Sequence, residues 1–106
     1  METIVIKLNS GLLENPDLDL RYVIPDKIEE LSNNKIMDNG YDYLEERNNP
    51  IGIWLRTECA EENYPLIIDI FKKELFLEND LSKSAEIYIS KVDCDKLENC
   101  KKVYPL

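Results

Sequence analysis

Three short segments are predicted to be strands: Thr3–Leu8, Ile51–Arg56 and Ala85–Ser90; the first and the third carry the alternation of side chains that is typical of strands. The first is rich in β-branched residues, which favour strands. The second is the most apolar strand segment of the chain, which predicts a central position in a sheet. The residues that this alternation turns toward a core are Ile4, Ile6, Leu8, Ala85, Ile87 and Ile89.

A first helix is predicted after the turn Asn15–Asp17. Apolar residues there follow one another at steps of four, four and three: Leu20, Ile24, Ile28 and Leu31. Pro25 complicates this pattern, because a proline inside a helix removes a backbone hydrogen bond and clashes with the preceding turn. We therefore expect regular helix from about Ile24 to Ser32, with Leu18–Val23 as an irregular lead-in or a separate short turn.

A second helix is predicted after Thr57, whose hydroxyl suits the N-cap position. Its apolar stripe consists of Tyr64, Ile67, Ile68, Phe71 and Leu75. Because proline is favoured in the first turn of a helix, we expect regular helix to begin close to Pro65. The charges also fit the helix dipole, with acids at the start and lysines toward the end: Glu58, Glu61, Glu62, Lys72 and Lys73.

The segment between these helices predicts strands joined by turns. Asn39-Gly40 is a strong hairpin signal, because both residues accept positive φ. We expect a tight hairpin at Asp38–Gly40, flanked by Ile36-Met37 and Tyr41–Leu44; one long strand with an irregularity is the alternative. A second turn is expected at Asn48–Pro50.

The remaining segments complete the fold prediction. Asn79–Lys83 indicates a loop, Asp93–Glu98 one helical turn, and Val103–Pro105 a short edge strand. The order of elements predicts a single α+β domain over residues 1–106. It contains a four- or five-stranded, mostly antiparallel sheet with two helices packed on one face, related to the split βαβ (ferredoxin-like) arrangement. Trp54, in the most apolar strand, is expected in the core.

The charge of the chain narrows the kinds of partner. Its 106 residues include 22 acidic and 13 basic side chains, a net charge of −9. This charge opposes nucleic-acid binding and anionic membranes, and favours encounter with a basic protein. An acidic surface that only maintains solubility is the simpler interpretation. The N-terminal segment lacks a secretory pattern, so we expect a cytoplasmic protein whose three cysteines stay reduced.

Few residues suggest catalysis. The chain has no histidine, so the usual base for a Ser, Cys or Thr nucleophile is missing, and no phosphate-loop, dinucleotide or zinc-protease motif occurs. We expect no metal and no cofactor. Paired carboxylates remain, and such pairs can hydrolyse glycosides when a cleft sets their separation. The pairs are Asp17 with Asp19, Asp38 with Asp42, Glu45 with Glu46, and Asp93 with Asp95.

The segment Asp38–Glu46 is more informative as a surface. If it is extended, Tyr41 and Tyr43 share one face and Asp42 lies on the other. Tyrosines supply contact area at low entropic cost, and acids complement a basic partner. The alternative is that the tyrosines are half-buried sheet residues and the acids protect a sheet edge. Arg21, next to Tyr22, either forms an internal ion pair with Asp19 or belongs to the same surface.

Four segments together resemble small bacterial immunity proteins of polymorphic or contact-dependent toxin systems: Asn15–Pro25, Asp38–Tyr43, Asn79–Leu81 and Ala85–Ser90. The resemblance implies a non-enzymatic, cytoplasmic protein that binds one cognate toxin domain and blocks it. Such toxins are often nucleases with basic surfaces. It carries over no functional residue. The surface argument alone selects the candidate partner-binding residues: Asp17, Asp19, Asp38, Tyr41, Asp42, Tyr43, Glu45 and Glu46.

Two other functions stay open at this point. A small carboxylate-dependent hydrolase would need two acids that converge in a cleft, whereas an inhibitor needs an acidic patch that faces solvent. A structural or regulatory domain would associate with itself through an exposed strand edge, and salt would not weaken that association. If the acidic surface is correct, replacing Asp38 and Asp42 by Lys weakens binding more than replacing Asp93 and Asp95.

Overall fold

Five antiparallel strands form one sheet, and three helices accompany it, in a computed structural model that describes residues 1–47 and 49–105. The predicted turn at Asn48–Pro50 falls partly outside the described residues, because it includes Asn48. The elements in chain order are β1 (Glu2–Leu8), α1 (Leu20–Leu31), β2 (Ile36–Tyr43), β3 (Ile51–Thr57), α2 (Ala60–Lys73), α3 (Leu81–Ser84), β4 (Ala85–Ser90) and β5 (Lys101–Tyr104).

The strand order β2-β3-β1-β4-β5 confirms the predicted α+β class. Helix α1 connects β1 to β2, and β3 lies between these two strands in the sheet. Helix α2 connects β3 to β4, and β1 lies between those two. This is the split βαβ arrangement, extended by β5 at one edge. All four strand pairs are antiparallel. β3 is an interior strand, as its composition predicts, and β1 is the middle strand of the five.

The main core lies between one face of the sheet and the two long helices. On β1 the residues Ile4, Ile6 and Leu8 face this core, and Ile6 stands opposite Ile53 of β3 and Ile87 of β4. Both helices contribute their buried residues to the same cluster, so they pack on one face as predicted. The predicted inward faces of β1 and β4 are therefore confirmed, although β1 is also buried on its other face at Thr3 and Val5, whereas burial alternates along β4.

Helix α1 begins earlier than predicted. It runs from Leu20 to Leu31 and contains Pro25 in its interior, with Ser32 as its C-cap. Leu20 is buried in the core together with Ile24 and Ile28. The prediction that regular helix starts near Ile24 is wrong because burial of Leu20 on the same stripe offsets the local cost of the proline.

The ends of helix α2 also differ from the prediction. Cys59, not Thr57, occupies the N-cap, and Pro65 lies well inside the helix. The buried Thr57 hydroxyl instead donates to Lys35 O and accepts from the Asn63 side chain, each at 2.7 Å. Leu75 lies beyond the helix and is exposed. The predicted distribution of acids and lysines along the helix is confirmed.

The predicted hairpin at Asp38–Gly40 is wrong, and the alternative of one irregular strand is correct. Strand β2 pairs with β3 on both sides of a register shift between Asp38 and Tyr41. Asp38 Oδ1 accepts a hydrogen bond from the Gly40 amide at 2.9 Å, and Gly40 has φ +96°. This local turn makes a bulge rather than a reversal, because the chain continues along the same neighbour.

Two short segments after α2 complete the comparison. The predicted loop Asn79–Lys83 is wrong in part, because Leu81–Ser84 forms the short helix α3. The Asp80 side chain caps this helix by accepting from the Ser82 amide at 3.1 Å. Near the C-terminus, Leu97–Asn99 forms one helical turn and β5 forms an edge strand, close to the predicted positions.

Candidate functional site

The face of the sheet opposite the two long helices carries a groove with an aromatic floor. On this face Val5 of β1 stands opposite Trp54 of β3 and Tyr88 of β4. Trp54 is 9% exposed and lies outside the helix-side core cluster. Trp54 is thus buried as predicted, but it forms part of the second face of the sheet rather than of the main core.

The first wall of the groove is formed by Asp42, near the end of β2, and by the segment Leu44–Glu46, which follows β2 and folds over the sheet. Leu44 lies above Gly52, where a Cβ atom would be 3.1 Å from Leu44 Cδ2. Lys7 of β1 holds the wall from below, because its Nζ lies 2.5 Å from Glu46 Oε1. The Lys7 side chain is only 14% exposed, so this pair ties the wall to the middle strand.

The second wall is the segment between β4 and β5, residues 91–100. Thr3 of β1 anchors it, because its hydroxyl donates to Val92 O at 2.9 Å and accepts from the Cys94 amide at 3.0 Å. The thiols of Cys94 and Cys100 both lie near Lys96 O, at 3.2 and 3.6 Å. Burial, together with the neighbouring Cys94 thiol, raises the pKa of Cys100 to about 12.

The two walls enclose a groove of about 760 Å³ whose lining is strongly acidic. One lysine, Lys96, lines it. Glu46 is paired with Lys7, but in the described part of the chain no cation lies within ion-pair distance of the other four carboxylates. The lining carboxylates are Asp42, Glu45, Glu46, Asp95 and Glu98.

The floor of the groove combines a hydrogen-bonded tyrosine with a satisfied carboxylate. The Tyr88 hydroxyl donates to Glu86 Oε1 at 2.6 Å, and Lys102 Nζ lies 3.7 Å from the same oxygen. Burial, and then the bond to Glu86, raises the pKa of Tyr88. Tyr88 is therefore a neutral hydrogen-bond donor at neutral pH, and its ring supplies apolar surface between the acidic walls.

The groove brings together four of the eight residues predicted from the sequence: Asp42, Tyr43, Glu45 and Glu46. Strand register confirms that Asp42 lies on the opposite face from Tyr41 and Tyr43. Tyr43 stands at the end of β2 and borders both this groove and a smaller cavity on the helix side.

The other four predicted residues lie elsewhere. Asp17 lines the smaller cavity, of about 120 Å³, and Asp19 is the exposed N-cap residue of α1. Asp38 is exposed at the bulge of β2. Tyr41 faces the helix layer, where its ring meets that of Tyr22 edge-on with centroids 5.9 Å apart.

Arg21 joins these two tyrosines instead of forming the ion pair with Asp19 that one interpretation of the sequence predicts. Its guanidinium carbon lies 4.9 Å from the Tyr22 ring centroid and 5.1 Å from that of Tyr41. No carboxylate among the described residues is within ion-pair distance of it. These three side chains therefore form a separate surface cluster on the helix side.

Sequence reasoning missed the second wall and part of the floor. The sequence pairs Asp95 only with Asp93, outside the predicted binding surface, assigns no site to Glu98 and places Trp54 in the core. A usable signal did exist in the alternation of β3 and β4. Because side chains alternate along a strand, Trp54 points to the other face of the sheet from Ile53 and Leu55, and this is the face that carries Tyr88.

Two further observations bear on the kind of site. Within residues 1–47 and 49–105, no group of three or more potential ligand side chains is arranged to hold a metal ion. Over the same residues, each helix is too short or too polar to cross a membrane. Comparison of the chain with known proteins gave no matching family model, no matching curated protein and no matching solved structure.

Proposed function

We propose that this chain is an immunity-type inhibitor that binds a basic protein, such as the toxin domain of a polymorphic or contact-dependent toxin system. The observation that carries the proposal is the groove, in which Asp42, Glu45, Asp95 and Glu98 lack a cationic partner among the described residues. Exposed carboxylates of this kind gain favourable interactions when a basic surface covers them.

The charge of the whole chain supports the same function. At a net charge of −9, long-range attraction speeds the encounter with a cationic protein and repels nucleic acid. An inhibitor that uses this field competes directly with an anionic substrate of the toxin, since both are attracted to the same basic surface. In this proposal the chain supplies no catalytic group, cofactor or metal.

The groove also shows which acids should be compared experimentally. The contrast expected from the sequence was between Asp38 with Asp42 and Asp93 with Asp95. Because Asp42 and Asp95 line opposite walls of one groove, they should be replaced together in one variant rather than compared with each other. Asp26 of α1 and Asp69 of α2 are exposed on the helix layer and provide a control with an identical charge change.

The test is a growth assay in a bacterial host that expresses the toxin domain encoded by the adjacent reading frame, with affinity measured on the purified pair. Wild-type chain restores growth, and Asp42→Lys with Asp95→Lys weakens the complex at least about tenfold. Asp26→Lys with Asp69→Lys retains protection. Failure of the wild-type chain to bind that domain or to restore growth overturns the proposal, and equal loss in both double variants overturns the groove as the contact surface.

A further inference from the structure

The groove on the second face of the sheet has a charge and a shape that together indicate one kind of occupant. Both long helices pack on the other face, and the two acidic walls cover this one, so that Val5 is fully buried and Trp54 is 9% exposed. Tyr88 is half-buried and lines the groove between the walls, where it supplies aromatic surface.

The two walls hold like charges on opposite sides of the groove. Lys7 ties the first wall to β1 and Thr3 ties the second wall to the same strand. Asp42 and Glu45 therefore cannot move far from Asp95 and Glu98 without breaking these contacts. Their mutual repulsion is relieved when positive charge enters the space between them.

A single metal ion does not fit this arrangement. No group of three or more ligand side chains in the described residues is close enough to surround one ion. A groove of about 760 Å³ has room for several side chains of an extended segment. Positive charges spaced along a peptide match carboxylates spaced along two walls, whereas one compact ion finds fewer than three ligand side chains among the described residues.

The aromatic floor favours arginine over lysine. A guanidinium group stacks on an aromatic ring and binds a carboxylate through two parallel hydrogen bonds, whereas an ammonium group acts as a point charge. Tyr88 and Trp54 line the groove floor between the carboxylates of the two walls. The combination of ring and carboxylate is thus suited to the two ways in which arginine binds.

We propose that the groove receives an arginine-rich segment of a basic protein partner, with guanidinium groups paired to carboxylates of both walls and stacked on the Tyr88 ring. This inference rests on the proposed function in taking the partner to be a basic protein. It goes further in naming the groove between the two walls as the contact and arginine as the recognised side chain.

A nona-arginine peptide and a nona-lysine peptide are the probes, titrated into the full chain. Trp54 is the one tryptophan of the chain and lies in the groove, so its emission reports occupancy. Calorimetry gives the affinity at about 20 mM and about 500 mM salt, between which the Debye length falls from roughly 20 Å to roughly 4 Å. We expect the arginine peptide to change the Trp54 emission and to bind several-fold tighter than the lysine peptide at both salt concentrations.

Two double variants distinguish peptide binding in the groove from attraction by the net charge of the chain. Asp42→Asn with Asp95→Asn removes one carboxylate from each wall, and Asp26→Asn with Asp69→Asn makes the same charge change on the helix layer. The groove pair weakens arginine-peptide binding at least about fivefold more than the helix pair. Tyr88→Leu removes the ring from the groove floor and reduces the preference for arginine over lysine.

Equal weakening by both double variants, or an unchanged Trp54 emission, would overturn the inference by showing that net charge alone attracts the peptides. Equal affinity for the two peptides would remove the assignment of arginine. These failures differ from failure of the proposed function. A chain that restores growth but shows no groove-specific peptide binding remains an inhibitor with another contact surface, whereas groove binding without restored growth supports the groove and contradicts the toxin partner.

Discussion

Gly52 of β3 lies directly beneath Leu44, and a Cβ atom at position 52 would stand 3.1 Å from Leu44 Cδ2 and 3.5 Å from Trp54 Nε1. Leu44 is held in this place because its amide donates to Pro50 O at 2.7 Å, directly after β2 ends. The absence of a side chain at Gly52 therefore sets how closely the first wall of the groove approaches the sheet.

A branched side chain at this position should displace the wall. We expect Gly52→Val to lower the free energy of unfolding by about 1–3 kcal/mol, because two methyl groups collide with Leu44 and Trp54. Gly52→Ala should have a smaller effect, since the end of the Leu44 side chain can shift by a few tenths of an ångström. Urea denaturation measures both. Adding Leu44→Ala to Gly52→Val should recover part of the loss, and no recovery would contradict a clash with Leu44.

The buried hydroxyl of Thr57 joins the end of β3 to two other segments. It donates to Lys35 O and accepts from Asn63 Nδ2, each at 2.7 Å. Thr57→Val keeps the shape but leaves both partners unsatisfied, so we expect a loss of about 1–3 kcal/mol in the free energy of unfolding. Thr57→Ser retains the hydroxyl and should lose less. A loss in Thr57→Ser with none in Thr57→Val would mean that the methyl group, not the hydrogen bonds, stabilises this site.

The turn after α2 has strained backbone, because two residues other than glycine have positive φ there. Phe76 and Asn79 exchange two backbone hydrogen bonds, at 3.0 and 2.9 Å, around Leu77 with φ +48° and Glu78 with φ +72°. Positive φ at both central positions is the turn type that favours glycine at the second of them. Glu78→Gly should raise the free energy of unfolding by up to about 1 kcal/mol. Glu78→Ala keeps the strain, so an equal gain from alanine would contradict this explanation.

Cys100 should be protected from alkylation in the folded chain. Its pKa is raised to about 12 by burial and by the Cys94 thiol, so the reactive thiolate is scarce at pH 8. We expect iodoacetamide to react with Cys100 at least about 100-fold more slowly than in urea-unfolded chain, where the pKa returns to about 8.5. Because the thiol form persists to high pH, the rate should rise about tenfold per pH unit. Mass spectrometry of the Cys100 peptide follows the reaction, and equal rates in folded and unfolded chain would contradict the raised pKa.

Several features of the fold followed from local sequence pattern. Strands β1 and β4 could be predicted because alternation of side chains is a property of each strand alone, and the buried sides of Ile4, Ile6 and Ile87 followed from it. The strand order agreed with the order of elements, since a strand–helix–strand unit leaves room for another strand between its two strands.

The errors arose where a local signal competed with packing. Pro25 and Pro65 both suggested helix starts, yet both lie inside helices whose apolar stripes extend in both directions. Asn39-Gly40 suggested a reversal, but continued pairing with β3 on both sides turned the same residues into a bulge. In each case the element boundary depended on which neighbour was available to bury side chains or to pair backbone groups, and local sequence does not contain that information.

The acidity of the chain and the opposite directions of Asp42 and Tyr43 are determined by the sequence alone. The tertiary structure decided which acids lie together. Asp42 and Asp95 are 53 positions apart, and they line one groove because β1 lies between β3 and β4 and anchors both walls, through Lys7 on one side and Thr3 on the other. A site formed across a middle strand by two distant loops depends on long-range pairing, so local spacing of residues cannot reveal it.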